Sequence, residues 1–259
     1  MIPQWNAADY AANSAVQFAW AREFLARLPL RGDEHFLDVG CGDGKITAEL
    51  ARAVPAGSAT GIDASAAMIA YAREQFPGQD FQVMDARQLQ FPRLFDVVFS
   101  NAALHWVDDH PAFLRGAAAA LRPGGRLVVS CGGRGNAQTV VAALHAVLRR
   151  KRWRAWFRRL PLPYFFYDPA DYPGWLARAG FATWSVELVP QAAPYAGIAG
   201  LVAWLRTAWL PYTQRIPAPE RAEFIAAVAE SYAATHPPDA AGRLHVGMVR
   251  LEIDAVKKR

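Results

Sequence analysis

Three acids and a run of spaced glycines carry the chemistry most legible in this sequence. Asp38-Val39-Gly40-Cys41-Gly42-Asp43-Gly44 ends an apolar run and opens an amphipathic one. Glycine at every second position lets a buried strand turn sharply into a helix and lets a ligand lie against bare backbone. The spacing is G-x-G-x-G, not the G-x-G-x-x-G of dinucleotide binders. Asp63 follows about twenty residues later, where an acid accepts hydrogen bonds from both hydroxyls of a ribose. Asp85-Ala86 comes after a third apolar run, where a carboxylate accepts from an adenine amino group.

A second constellation, Leu104-His105-Trp106-Val107-Asp108-Asp109-His110, follows the strand that ends at Ser100-Asn101. His105 is a candidate general base, which would matter for an acceptor whose pKa lies far above 7. Asp108, Asp109 and His110 are metal-ligand types. Asp109 followed by Pro111 reads instead as a helix cap, so no metal site is expected.

These residues need a scaffold that brings strand ends to one edge. Strand-like runs cover His35 to Gly40, Ala59 to Asp63, Phe81 to Met84, Phe95 to Ser100 and Gly125 to Cys131. Helical patterns at Lys45 to Val54, Ala66 to Phe76 and Pro111 to Leu121 separate most of them. This alternation predicts an α/β fold with a parallel sheet covered on both faces. Right-handed crossovers gather the loops after each strand on one edge. Phe181 to Val189 and His245 to Val256 alternate apolar and polar residues, as half-exposed antiparallel strands do. Between them Ala199 to Trp209 and Glu220 to Tyr232 read as helices, too long a connection for a hairpin. Residues 190–243 are therefore expected to form a helical cap insertion.

The chain has 259 residues, a formal net charge of +5 and two cysteines, Cys41 and Cys131. Neither cysteine is placed for a disulfide, and the first residues lack a signal peptide's basic and apolar regions. No apolar stretch is long enough to span a bilayer. A cytoplasmic setting is expected.

The Asp38-to-Gly44 loop, Asp63, Asp85 and the turn Leu121-Arg122-Pro123-Gly124-Gly125 together resemble the class I S-adenosylmethionine-dependent methyltransferases. The resemblance covers essentially the whole chain. It implies a Rossmann-like sheet of seven strands, mostly parallel with the last antiparallel, in one domain over 1–259. Residues 1–30 would be a helical segment over the cleft. S-adenosylmethionine would be the cofactor. Asp38, Gly40, Cys41 and Gly42 would approach its methionine part. Asp63 and Ala64 would hold the ribose, Asp85, Ala86 and Met68 the adenine, and Asn101 the amino end.

Trp5-Asn6-x-x-x-Tyr10, Gln17 and His105-Trp106 resemble the trans-aconitate and juvenile hormone acid methyltransferases, which esterify small carboxylic acids. That likeness implies that Gln17 and Trp106 hold the acceptor carboxylate; such a pocket should be rich in aromatic residues, and Tyr10, Tyr164 in the apolar run Leu160 to Tyr167, and Trp209 in the cap are expected to line it. A carboxylate with pKa near ~4 is already ionised at neutral pH and needs positioning rather than a base. A hydroxyl, nitrogen or carbon acceptor would instead bring His105 forward. Arg149 to Arg159 interleaves bases with aromatics, as nucleic-acid or membrane-surface segments do. A solvated helix end with inward tryptophans accounts for it as well. Asn101-Ala102-Ala103-Leu104 lacks the prolines of the adenine-N-methylating loop, so no nucleic-acid partner is expected. Oligomeric state is open.

Overall fold

The computed structural model describes residues 5–91, 94–157 and 163–259. Its frame is a seven-stranded sheet in the order β3-β2-β1-β4-β5-β7-β6. The strands are β1 (His35–Val39), β2 (Ser58–Asp63), β3 (Asp80–Val83), β4 (Phe95–Asn101), β5 (Leu121–Gly132), β6 (Phe181–Ala196) and β7 (Arg243–Lys257). β1 to β5 pair in parallel. β7 runs antiparallel to β5. This is the mostly parallel sheet with an antiparallel last strand that the sequence pattern predicts.

The helices are α1 (Ala7–Asn13), α2 (Ala15–Ala26), α3 (Lys45–Ala53), α4 (Ala66–Gln75), α5 (His110–Ala120), α6 (Gln138–Leu148), α7 (Lys151–Arg154), α8 (Tyr172–Ala179), α9 (Gly197–Ala208), α10 (Leu210–Thr213) and α11 (Ala218–Ala233). Local chemistry sets their ends, and the Asp109 cap is the one the sequence predicts. Ser65 accepts from the Met68 amide at the start of α4, and Asp109 from the Ala112 amide at the start of α5. Gly180, at φ +95°, ends α8 in the left-handed conformation open to glycine.

The chain divides into two compact units: Ala15–Arg134 with Tyr164–Val189 and Arg250–Arg259, and Met1–Ser14 with Gly135–Pro163 and Pro190–Val249. In the first, alternation along the strands makes two cores. Leu37, Val98, Val129, Leu251 and Ile253 face α5 and α8, with Phe113, Leu114 and Leu176. Phe36, Phe99 and Val128 face α2 and α3, with Phe24 and Leu50. Each large side chain so buried contributes roughly 1.5–3 kcal/mol, and both faces of the central strands are dry.

In the second unit α11 packs on α6 and α9. Asp9 on α1 pairs with Arg206 on α9 at 2.6 Å. Trp209 is buried in an aromatic chain, 5.6 Å from Trp204 and 5.3 Å from Tyr212 between ring centres. Tyr10 stacks edge-on with Trp5 at 5.5 Å. The basic run divides. Arg152 pairs with Glu223, and Trp153 is buried against Phe224, whereas Trp156 is 43 % exposed. Arg158, Arg159 and the segment Leu160 to Leu162 lie outside the described residues. Among the described residues no helix is long and apolar enough to cross a membrane.

Candidate active site

The glycine loop leaves β1 with its backbone in conformations that side chains resist. Gly40, Gly42 and Gly44 have φ of +77°, +54° and +82°. A Cβ on Gly40 would stand 2.2 Å from the Cβ of Ala103, so the loops after β1 and β4 meet where the bare backbone of Gly40 packs on the Ala103 methyl. The amides of Gly40 and Cys41 both donate to the Ile62 carbonyl, at 2.8 and 2.9 Å.

Asp63 organises the turn after β2. One carboxylate oxygen accepts from the Gly42 amide at 3.1 Å and the other from the Ser65 amide at 2.8 Å. Each oxygen keeps a lone pair for a ribose hydroxyl. Ala64 lies between Asp63 and the capping Ser65, and the side chain of Met68 is buried. Burial raises the pKa of Asp63 against those two amide bonds.

Asp38 is buried below the loop, where the Thr47 hydroxyl donates to it at 2.7 Å. Desolvation, aided by the charges of Asp63 and Asp43 and opposed by Thr47, lifts its pKa to about 7. Burial also pushes the Cys41 thiol well up, which removes it as a nucleophile.

Asp85 is held differently. Its carboxylate takes Arg87 in a two-pronged pair, 2.6 Å at the shortest, and its pKa is lowered mainly by those hydrogen bonds. Arg87 also reaches Asp108 at 2.9 Å. The loop after β3, with Asp85 and half-buried Ala86, is thereby tied to the segment after β4. Asp85 retains acceptor capacity beside Arg87, since each carboxylate oxygen carries two lone pairs.

After β4 the chain makes a 3-10 turn, Leu104–Trp106. His110 anchors it from behind: its Nε2 lies 2.8 Å from the Leu104 carbonyl and its Nδ1 2.6 Å from the Tyr172 hydroxyl. A carbonyl only accepts, so Nε2 carries the proton and Nδ1 takes the Tyr172 hydrogen. His110 is a buried ring with both nitrogens engaged, and burial lowers its pKa.

His105 is the same tautomer, fixed by a backbone amide instead of a hydroxyl. The Gly132 amide, at the end of β5, donates to its Nδ1 at 3.1 Å. Burial, with some repulsion from His110, pushes its pKa down to about 4. The rings of His105 and Trp106 are 5.7 Å apart, and Tyr164 meets Trp106 edge-on at 4.9 Å. The Phe165 amide donates to the His105 carbonyl at 2.9 Å and holds the 164–167 segment along the turn. Gln17 on α2 approaches from another element: Asn101 Nδ2 donates to its main-chain carbonyl at 3.4 Å. Gln17 Oε1 is buried with no hydrogen-bond partner among the described residues.

The structure thus brings His105, Trp106 and Tyr164 together, and Gln17 to Asn101. It places Asp38, Gly40, Cys41, Gly42, Asp63 and Met68 around one loop system. Tyr10 and Trp209 belong to the helical unit. Sequence reasoning missed Thr47, Gly132 and the supporting role of His110. Only the position of Gly132 at a strand end could have pointed to it.

The cradle fits S-adenosylmethionine on two observations. Both Asp63 oxygens, fixed by loop amides, keep a lone pair for a ribose hydroxyl, and Gln17 Oε1 is buried with no hydrogen-bond partner among the described residues.

A family model described as "Methyltransferase domain" matches residues 37–129. Trans-aconitate 2-methyltransferase from Methylobacterium nodulans is 30 % identical over all of both chains. The enzyme of that name from Rhodopseudomonas palustris is 31 % identical over 99 % of this chain and 100 % of its own. In fold, the chain is similar to the YcgJ protein of Bacillus subtilis, with a TM-score of 0.62 and 15 % identity over 95 % of this chain and 99 % of that one. A Haemonchus contortus phosphoethanolamine N-methyltransferase 2, solved with S-adenosyl-L-methionine, gives a TM-score of 0.62 at 16 % identity, over 98 % of this chain and 58 % of that one. Full-length kinship at this level, on a matching seven-stranded sheet, settles the family: the chain belongs to the class I S-adenosylmethionine-dependent methyltransferases, with S-adenosylmethionine as its cofactor.

Proposed function

We propose that this methyltransferase esterifies a small-molecule carboxylic acid. The observation that carries the reading is the bond from the Gly132 amide to His105 Nδ1. With Nδ1 occupied as an acceptor, the neutral ring bears its proton on Nε2. No lone pair is left to take a proton from a hydroxyl, which favours an acceptor that arrives already ionised. A carboxylate does so at neutral pH, with a pKa near ~4. The full-length relatives named trans-aconitate 2-methyltransferase support the same class.

The cofactor supplies a methyl group on a sulfonium. In this reading one acceptor oxygen forms the new C–O bond, the C–S bond breaks and its electron pair stays on sulfur. The protein's task is to position and partly dehydrate the carboxylate. The Trp106 indole N–H and the Gln17 amide are the neutral donors assigned to it, and Tyr164 lines its side. Neutral donors orient an anion without fully quenching its nucleophilicity. The Gly40, Cys41 and Gly42 backbone is assigned to the methionine part, and Asp63 with Ala64 to the ribose. Asp85, Ala86 and Met68 are assigned to the adenine, Asn101 to the amino end, and buried Asp38 to charge balance beneath it.

The test uses methyl-labelled S-adenosylmethionine with a panel of free acids, followed by mild base. Label released as volatile methanol identifies a methyl ester. Label that survives base overturns the reading and moves the acceptor to another oxygen, nitrogen or carbon.

A further inference from the structure

The sheet face under α2 is apolar except at its carboxyl edge. Alternation puts Asn101 on the same face of β4 as Phe99, and Ser130 on the same face of β5 as Val128. The register aligns Asn101 with Ser130 and Ser130 with Glu252, while Arg250 stands opposite Gly132, one pair nearer the edge. Arg27, just past α2, reaches Glu252 at 2.9 Å, and the Trp20 ring lies 5.5 Å from the Arg250 guanidinium carbon. A row of polar side chains therefore crosses β4, β5 and β7 beneath α2.

That row is under-satisfied. Arg250 Nη2 meets Glu252 Oε1 at 2.7 Å, and its side chain is 8 % exposed. Its Nε and Nη1, with Ser130 Oγ and Gln17 Oε1, are buried without a hydrogen-bond partner among the described residues. Glu252 serves two guanidiniums, those of Arg27 and Arg250, with Glu23 the other acid near Arg250. Burying unpaired guanidinium donors is costly. An anion satisfies those donors, and a planar carboxylate suits a guanidinium best.

We propose that Arg250, assisted by Ser130, is a subsite for an anionic group: a carboxylate of the acceptor other than the one methylated. The proposal rests on the carboxylate reading above and adds the residue that selects for a second charge. Trp20 covers the guanidinium, so the anion enters as α2 yields.

The experiment is calorimetric titration of the full chain, loaded with S-adenosylhomocysteine, with tricarballylate, butyrate and inorganic phosphate. The expected result is that tricarballylate binds about ten- to a hundredfold tighter than butyrate, the worth of one charge-assisted contact. Arg250→Gln removes that margin and leaves butyrate unchanged, and Ser130→Ala trims it several-fold. Unaltered S-adenosylhomocysteine affinity shows that a variant is folded. If Arg250→Gln does not fold, Arg250→Lys keeps the charge and loses the planar fork, with a several-fold weaker tricarballylate affinity expected. Equal affinities in wild type and variant, no preference over butyrate, or phosphate binding as tightly as tricarballylate each overturn the subsite. A chain that esterifies no acid yet binds tricarballylate through Arg250 loses the reaction and keeps the subsite. A chain whose ester formation is indifferent to Arg250 does the opposite.

Discussion

The amide of Gly132 donates to Nδ1 of His105 across 3.1 Å, joining the end of β5 to the turn after β4. His105→Asn preserves an acceptor for that amide and should retain most of kcat. His105→Leu leaves the amide unpaired and should cost ~1–3 kcal/mol of stability. A loss of a hundredfold or more in the Asn variant would instead mark His105 as a base.

The low pKa of His105, about 4, has a second consequence. The neutral ring stabilises the fold fully above its ordinary value of 6.5, and that stability is lost as pH falls from there towards 4. With saturating cofactor and acceptor, kcat should be flat between about pH 6 and pH 8. A kcat that rises with a midpoint near 6.5 would contradict the assignment.

Asp38 runs the other way. Its carboxyl is raised to about 7 in the fold, so the native state holds a proton that the unfolded chain has released above its ordinary value of 3.8. This group's contribution favours folding at low pH and declines as pH rises from about 4 to 7. Asp38→Asn should flatten that slope in thermal melts. Binding of the cationic cofactor should release a proton near pH 6, read as a buffer-dependent heat in calorimetry.

Asp63 bonds the Gly42 and Ser65 amides simultaneously. Asp63→Ala should weaken S-adenosylmethionine by about a hundredfold or more, because a ribose contact and the loop's anchor go together. Asp63→Asn, which keeps one acceptor oxygen, should fall between. Unchanged affinity in the Ala variant would remove Asp63 from the cofactor site.

Trp106→Phe and Gln17→Ala should cut turnover by roughly tenfold or more while leaving cofactor affinity intact, since each removes one donor to the acceptor. Fluorescence titration with S-adenosylhomocysteine beside a methanol-release assay separates the two effects. A parallel loss of both would make these residues structural.

Much of this was legible in the chain. Apolar runs and period-two alternation placed all seven strands, and Asp109 marked the start of α5 through side-chain capping. α6 escaped because its start, Ala137 at φ +52°, carries no capping side chain. α8 escaped although Asp168, Pro169 and Gly180 bracket it. β6 runs on to Ala196, beyond the Phe181 to Val189 alternation. The glycine loop and Asp63 announced themselves because their chemistry is local. The tautomer of His105 and the isolation of Arg250 did not, because each depends on partners from strands far away in sequence.

The ion pair between Arg27 and Glu252 spans 225 positions. During translation, the carboxylate that clasps the end of α2 leaves the ribosome long after the helix does. The nascent chain therefore grows by 225 residues past Arg27 before that helix gains its clasp. Glu252→Gln would loosen the clasp in the finished protein too, opening its amino-terminal region to proteases while the central strands stay folded.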